Sequence, residues 1–311
     1  MIKEKFKNIW QLVKETYKEW DADDPFRQSA TIAYYALFSI PGLLMVIIWT
    51  AGVFFGQDAI SGRLSHEIGG IMGPQAAEGV ESILANVQLK DSGWLMKIVG
   101  IGSIVFGSTT LFFQLQKSLN QIWEVEAAPE NNFLKLLTDR AYSLGLIIVI
   151  AFLLLITLAL SAIVSVISEW IQANFGEYMI YLIEFINFCI SLGITTTLFA
   201  LMYKILPDVD IRWKAVWVGA FITAILFVIG KTLLGIYFGF SDPTSSYGAA
   251  GTIIFIMLWI NYTCLILFFG AEFTQVYARE HGEPIKPSSH AKWAASRILA
   301  QQRAEEDSAH G

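Results

Sequence analysis

Six long apolar runs set the terms for this chain. They cover about 30–55, 94–115, 141–168, 178–204, 213–240 and 249–277. A helix needs about 20 mostly apolar residues to cross a bilayer's hydrocarbon core, roughly 30 Å thick, and each run meets that length. Inside hydrocarbon no water bonds the backbone, so such a run satisfies its polar groups within itself, as helix. Composition agrees. Only 15% of the residues are charged, where a soluble domain carries roughly 25%. The mean hydropathy is +0.53. The fold expected is all-α: a polytopic membrane protein with six transmembrane helices, an N-terminal interfacial helix and an external helical hairpin.

Residues 1–24 form the first unit. "MIKEKFKNIWQLVKETYKEW" has no continuous apolar stretch of the signal-peptide kind. Phe6, Ile9, Trp10, Val13, Tyr17 and Trp20 recur at helical spacing among lysines and glutamates. That amphipathic helix either lies in the membrane interface or packs on the protein's own face. Residues 25–280 are the six-span membrane domain. Six spans put both termini on one side, and the cations say which. Lys3, Lys5, Lys7, Lys14, Lys18 and Arg27 precede the first run. Lys117, Lys135 and Arg140 follow the second, and Lys204, Arg212 and Lys214 follow the fourth. Arg279, Lys286, Lys292, Arg297 and Arg303 close the chain, whereas Arg63, Lys90 and Lys97 are the cations of the opposite side. The positive-inside rule makes both termini cytoplasmic, in a multi-pass protein of a bacterial inner membrane.

The external segment, about 56–93, reads as two amphipathic helices. Ile60, Leu64, Ile68 and Ile71 mark one, Val80, Ile83, Leu84 and Val87 the other, with Gly73-Pro74 between. Residues 281–311 read as a polar cytoplasmic tail with a short helix near 291–304. Cys189 and Cys264 sit in apolar runs, and the four histidines are scattered without ligand spacing, so no disulfide framework, metal site or cofactor is expected.

The polar residues inside the apolar runs are the candidates for function. Lys231 stands in the middle of "ILFVIGKTLLGIYFGF". A charge near the bilayer centre costs at least about 2.5 kcal/mol and marks a functional site by default. Counted from the helix ends, Lys231 and Glu184 lie at similar depth, and are read as a pair or as two charges on one water-filled cavity. The bland alternative is that Lys231 snorkels outward on its stem. In "YYALFSIPG", Pro41 frees the carbonyl of Leu37 and is expected to kink the helix. Ser39, Tyr34 and Tyr35 stand ready to satisfy it, as in a cavity wall. Tyr237, Tyr247 and Gly248 flank the last external loop, and Asn261 falls near mid-bilayer, where an amide needs a protein partner. On the cytoplasmic side, Glu272 opposes its helix dipole and calls for a cation, Arg140 or Lys204. Asn120 and Trp123 read as interface anchors.

Several stretches together resemble the YihY/BrkB family of bacterial inner-membrane proteins. They are "AYYALFSIPGLL", "LNQIWEV" before the Arg140 helix start, "LPD", "GKTLLGIYFGF", "SSYGAAGTIIFIMLWINY" and "GAEFTQVYARE", in order over roughly 25–280. The resemblance carries onto Tyr34, Ser39, Pro41, Asn120, Arg140, Pro207, Lys231, Tyr237, Tyr247, Gly248, Trp259, Gly270 and Glu272. Pro41 stands one position early for the family, Asn261 replaces a common aromatic, and Glu184 is no family marker. The resemblance implies a role in serum resistance or in envelope lipid or lipopolysaccharide traffic. Some members carry the label ribonuclease BN. This sequence has no H-x-H-x-D-H ligand cluster and no basic domain to hold RNA, so nuclease activity and nucleic-acid partners are not expected.

The leading reading is a transporter or flippase-like protein for a lipid or other amphiphile, working with membrane lipids through a polar cavity. The alternative is a non-transporting envelope scaffold, as a homo-oligomer or with envelope protein partners. An intramembrane enzyme is the least supported, since no nucleophile–base pair is present.

Overall fold

A computed structural model describes residues 2–55, 94–128, 178–240, 249–283, 285–289, 291–295 and 297–299, with isolated helical positions at 62, 65, 69, 81, 141, 145, 147–150 and 302. The external hairpin apart from positions 62, 65, 69 and 81, together with Arg140, Tyr247 and Gly248, falls outside those residues, as do the side chains of Pro41 and Glu184.

The described chain is mostly helical. It comprises α1 (Ile2–Ala22), α2 (Pro25–Phe55), α3 (Trp94–Ile122), α4 (Tyr178–Ile205), α5 (Trp213–Phe240) and α6 (Ala249–Glu280). Among the described residues, three helical stretches are long and apolar enough to cross a membrane: Phe185–Ile205, Trp213–Tyr237 and Ile253–Glu280. Helices α2 and α3 are of similar length, 31 and 29 residues.

The long helices pack side by side in the order α3, α2, α6, α5, α4, and α1 packs across α6. One end of the bundle gathers the start of α2, the end of α3, the α4–α5 connection and the end of α6. Four short strands lie there: β1 (Val125–Ala127), β2 (Val209–Asp210), β3 (Lys286–Pro287) and β4 (Ala291–Trp293). Strand β4 pairs antiparallel with β1, Val125 opposite Trp293, and β3 pairs with β2, Val209 opposite Pro287. We call this the sheet end and the opposite one the far end. The chain after α6 is thus laced onto two connections of the bundle. A short polar sequence with no helical or apolar period gives no sign of that, because the pairing is made by backbone groups.

Local chemistry explains the turns. Helix α6 stops at Gly282, whose φ of +71° is the left-handed conformation that glycine adopts without a Cβ penalty. The Glu283 N–H donates to the Ala278 carbonyl and the Gly282 N–H to the Arg279 carbonyl, the two bonds of a Schellman cap. Between α1 and α2, Asp24 takes φ +53° and Pro25 begins the helix, where its missing N–H costs nothing. Helix α2 continues unbroken through Pro41. Ser39 Oγ donates to the Tyr35 carbonyl at 2.9 Å, two residues before the Leu37 carbonyl that Pro41 frees.

Helix α1 packs on α6 through Leu12, Thr16 and Trp20, while Trp10 and Tyr17 of the expected apolar stripe are exposed. Leu12 packs with Phe273 and Val276, Thr16 is fully buried, and the Trp20 indole donates to the Leu265 carbonyl at 3.3 Å. Arg279 reaches Glu15 and Glu19 at 3.2 and 2.8 Å.

Candidate functional site

Helices α5 and α6 approach through small residues. Their numbers run antiparallel: Gly219 against Thr274, Gly270 against Thr223, Gly230 against Tyr262. A Cβ on Gly219 would lie 1.7 Å from Thr274 Oγ1, and one on Gly270 would lie 1.8 Å from Thr223 Oγ1. Two Gly-x-x-x-Thr motifs therefore interlock, each threonine seated over the other helix's glycine, as small residues allow in membrane packing. Each hydroxyl donates back to the glycine carbonyl one turn earlier, at 2.7 and 2.6 Å, so no polar atom is stranded. Tyr203 of α4 completes the node. Its buried hydroxyl donates to the Leu267 carbonyl at 2.7 Å and lies 2.9 Å from Thr223 Oγ1.

That register locates Lys231. Positions 219 and 274, 223 and 270, and 230 and 262 each sum to about 493, so Lys231 falls level with Asn261 and Tyr262. A Cβ on Gly230 would lie 0.9 Å from the Tyr262 hydroxyl, so the phenol rests against the backbone one residue before Lys231. Lys231 and Asn261 are both half-buried. The structure thus brings two of the sequence candidates to one level of one seam. Against α4, Phe199 meets Phe227 and Tyr203 meets Thr223. Carried outward, that register sets Glu184 about three turns nearer the far end than Lys231. Tyr34 and Tyr35 of α2 are exposed and stack edge to face, and Tyr237 is exposed. Ser39 is buried.

The sheet end holds a second polar group. Asn120 and Trp123 are not interface anchors: both are buried, Trp123 to 1% exposure. Asn120 Nδ2 donates to Asp208 Oδ2 and its Oδ1 accepts from the Asp208 N–H, both at 2.8 Å. This two-way bond ties the end of α3 to the α4–α5 connection. The Trp123 indole donates to the Ala271 carbonyl at 3.2 Å. Amphipathic side chains sit at interfaces when one end stays wet; here protein groups meet the polar ends, so the reason for exposure is gone.

Glu272 is 1% exposed. Its bonding partner is an acid, Asp23, at the turn between α1 and α2. Lys204, one of the two cations expected beside Glu272, is engaged elsewhere: its Nζ donates to the Ile211 carbonyl at 2.8 Å. Burial pushes the Asp23 carboxyl above its ordinary range. The hydrogen bond with Glu272 pulls the other way, and the Glu124 and Glu19 charges push it further up. Glu124 stands in the left-handed region, φ +53°, and pairs with Arg297 at 3.1 Å.

Asp208, Asp23 and the paired Gly-x-x-x-Thr motifs carry this geometry and were not singled out from the sequence as site residues. The glycine motifs had a signal, Gly219-to-Thr223 and Gly270-to-Thr274 at equal spacing. Asp208 had one as well: an acid after proline, closely bounded by apolar runs. Among the described residues no group of three His, Cys, Asp or Glu side chains is placed to hold a metal ion.

Long apolar helices, small-residue contacts and internally bonded polar side chains define a helical membrane protein. The chain belongs to the family described as virulence factor BrkB, which matches residues 16–295. It is similar to a UPF0761 membrane protein of Psychromonas ingrahamii, 26% identical over 280 residues, covering 88% of this chain and 90% of that one. A UPF0761 membrane protein of Alteromonas mediterranea is 25% identical over 246 residues, 78% and 79% of the two chains. One from Verminephrobacter eiseniae is 25% identical over 273 residues, 85% of this chain and 62% of the relative. No solved structure matches the chain.

Proposed function

We propose that this membrane protein moves a lipid or other amphiphile of the bacterial cell envelope through a polar cavity opening toward the far end. The observation that carries the reading is the placing of Lys231 and Asn261 at one level of the α5–α6 seam, beside the Tyr262 hydroxyl. A lysine and an amide at that depth belong to water or to a polar ligand, since hydrocarbon offers neither a partner. In this reading the protein is not an enzyme, needs no cofactor and binds no nucleic acid.

The reading includes six spans with the sheet end facing the cytoplasm. Connectivity supports the sixth crossing: the described chain leaves the sheet end at Ala128 and resumes at Tyr178, the far end of α4. Charge supports the sidedness. Arg27, Lys117, Lys204, Arg212, Lys214, Arg279, Lys286, Lys292 and Arg297 all belong to the sheet end.

The test is transbilayer movement of labelled phospholipids and lipid A-like amphiphiles in proteoliposomes of the purified protein, with and without ion gradients. Wild type is expected to move one of them, and Lys231→Met, matched for folding, to move it far less. Equal rates would keep transport and remove Lys231 from it. No movement of any probe would overturn the reading in favour of an envelope scaffold.

A further inference from the structure

The acid pair at the sheet end lacks something. Asp23 and Glu272 share a hydrogen bond, yet Glu272 Oε2 is buried with no hydrogen-bond partner among the described residues. Gln28 bonds the main chain of the first acid. Its Nε2 donates to the Asp23 carbonyl oxygen at 2.7 Å, which fixes which way the amide points. The other amide atom, Oε1, is buried and also has no partner, in a residue only 5% exposed. One turn after Glu272, Gln275 Oε1 is a third buried acceptor without a donor. These are oxygen acceptors, and a buried acceptor left unmade costs about 1–3 kcal/mol in an ordinary protein.

Among the described residues, which do not include Arg140, the surrounding charges do not supply the missing donor. From α1, Glu19 faces the pair and adds to its negative charge; from the end of α3, Glu124 does the same. Arg279 on α6 senses Glu272, but its hydrogen bonds go to Glu15 and Glu19. Arg297 is bonded to Glu124.

We propose that Asp23, Glu272 and the Gln28 side-chain oxygen form a binding site for one small monovalent cation, sodium, which a proton on the carboxyl pair displaces. The donor set is all oxygen, which suits a hard cation. It brings two carboxyl groups rather than three or more, which suits a single charge rather than a divalent ion. Carboxylates buried among membrane helices recur as exchangeable sites for Na⁺ and H⁺. The site joins the α1–α2 turn to α6, so occupancy would fasten α1 to the bundle. It does not depend on the transport reading, because cation binding is measurable in a protein that moves nothing.

The experiment is thermal unfolding of the purified full-length protein in detergent, at pH 8 and at pH 5, in sodium chloride against choline chloride at equal ionic strength. Bound ²²Na⁺ is counted in parallel. The expected result at pH 8 is a midpoint that rises with sodium, saturably, with about one ²²Na⁺ retained per chain. At pH 5 the sodium response should shrink or vanish. Glu272→Gln and Asp23→Asn should abolish it at both pH values, while Arg212→Gln, which loses only its exposed pair with Glu283, keeps it. Equal midpoints in sodium and choline at pH 8, with no retained ²²Na⁺, overturn the site whatever the variants do. A saturable response that survives Glu272→Gln and Asp23→Asn also overturns it, by placing the ion elsewhere.

Discussion

The two ends of the bundle are built from different chemistry. The sheet end has exposed apolar residues on its outside, Phe26, Trp213 and Trp217, but its interior is packed against protein. Trp123, Tyr203, Phe268, Val216 and Val276 are fully buried, and the polar groups among them are bonded across helices. Toward the far end, Phe185, Phe188, Ile229, Leu233, Ile236 and Tyr237 are all exposed, and hydroxyls such as Thr195 and Thr232 bond back only to their own helix. One end is held by helix-to-helix polar bonds and small-residue contacts. The other presents an exposed apolar surface, with Lys231 half-buried in it. A mutation should therefore be severe at the sheet end and mild at the far end for the same change of residue.

The largest contrast is between two glycines. Gly270→Ala drives a methyl into Thr223 and Tyr203, one of which must move, and is expected to destabilise by about 1–3 kcal/mol or more. At Gly235 of α5 a Cβ meets nothing within 4 Å, so Gly235→Ala should be neutral or gain up to about 1 kcal/mol from helix propensity. Unfolding midpoints of the two variants in detergent compare them. If both are neutral, the interlocked glycine–threonine contact is not what holds α5 to α6.

Polar side chains give the next contrast. Asn120→Leu removes both bonds to buried Asp208 and should cost about 3 kcal/mol, whereas exposed Thr232→Val should cost less than about 0.5 kcal/mol. Trp123→Phe, which loses one indole bond to the Ala271 carbonyl, should fall between them at about 1–2 kcal/mol. Denaturant or thermal unfolding of these variants ranks them.

The smallest effect is a pH slope. Because the Asp23 carboxyl is raised in the folded state, the folded protein holds its proton more tightly than the unfolded chain. The associated stability is complete below the ordinary aspartate range and is lost as pH rises through the raised value. In sodium-free buffer, wild type should lose stability over that window and Asp23→Asn should lose less. Parallel slopes for the two proteins would mean that Asp23 is not the group responsible.

The helical framework was legible in the sequence because its signal is long-range and redundant. The apolar runs near 178–204 and 213–240 end within a residue or so of α4 and α5. Lys231 and Asn261 were legible as residues out of place. What joined them was not: the depth count set Lys231 level with Glu184 because it took the far ends of α4 and α5 as level, and the Phe199–Phe227 and Tyr203–Thr223 contacts show them offset. The register that brings Lys231 to Asn261 comes from three small-residue contacts along the seam. Asp23 was hidden for another reason. In "DADDP" it reads as a solvated helix end, and only the packing of α1 across α6 buries it beside Glu272.

The central claim is that polar residues near Lys231 meet water while those of the Tyr203 node do not. The direct test is thiol labelling in sealed vesicles, in a background with Cys189→Ser and Cys264→Ala. Lys231→Cys, Asn261→Cys, Thr223→Cys and Thr274→Cys would each be treated with a membrane-impermeant maleimide, which reacts only with a hydrated thiolate. The account predicts labelling at 231 and 261 from one side of the membrane, and none at 223 or 274 until the protein is denatured. Silence at 231 and 261 in folded protein, equal to that at 223 and 274, would contradict it and leave the far end a dry, lipid-facing surface.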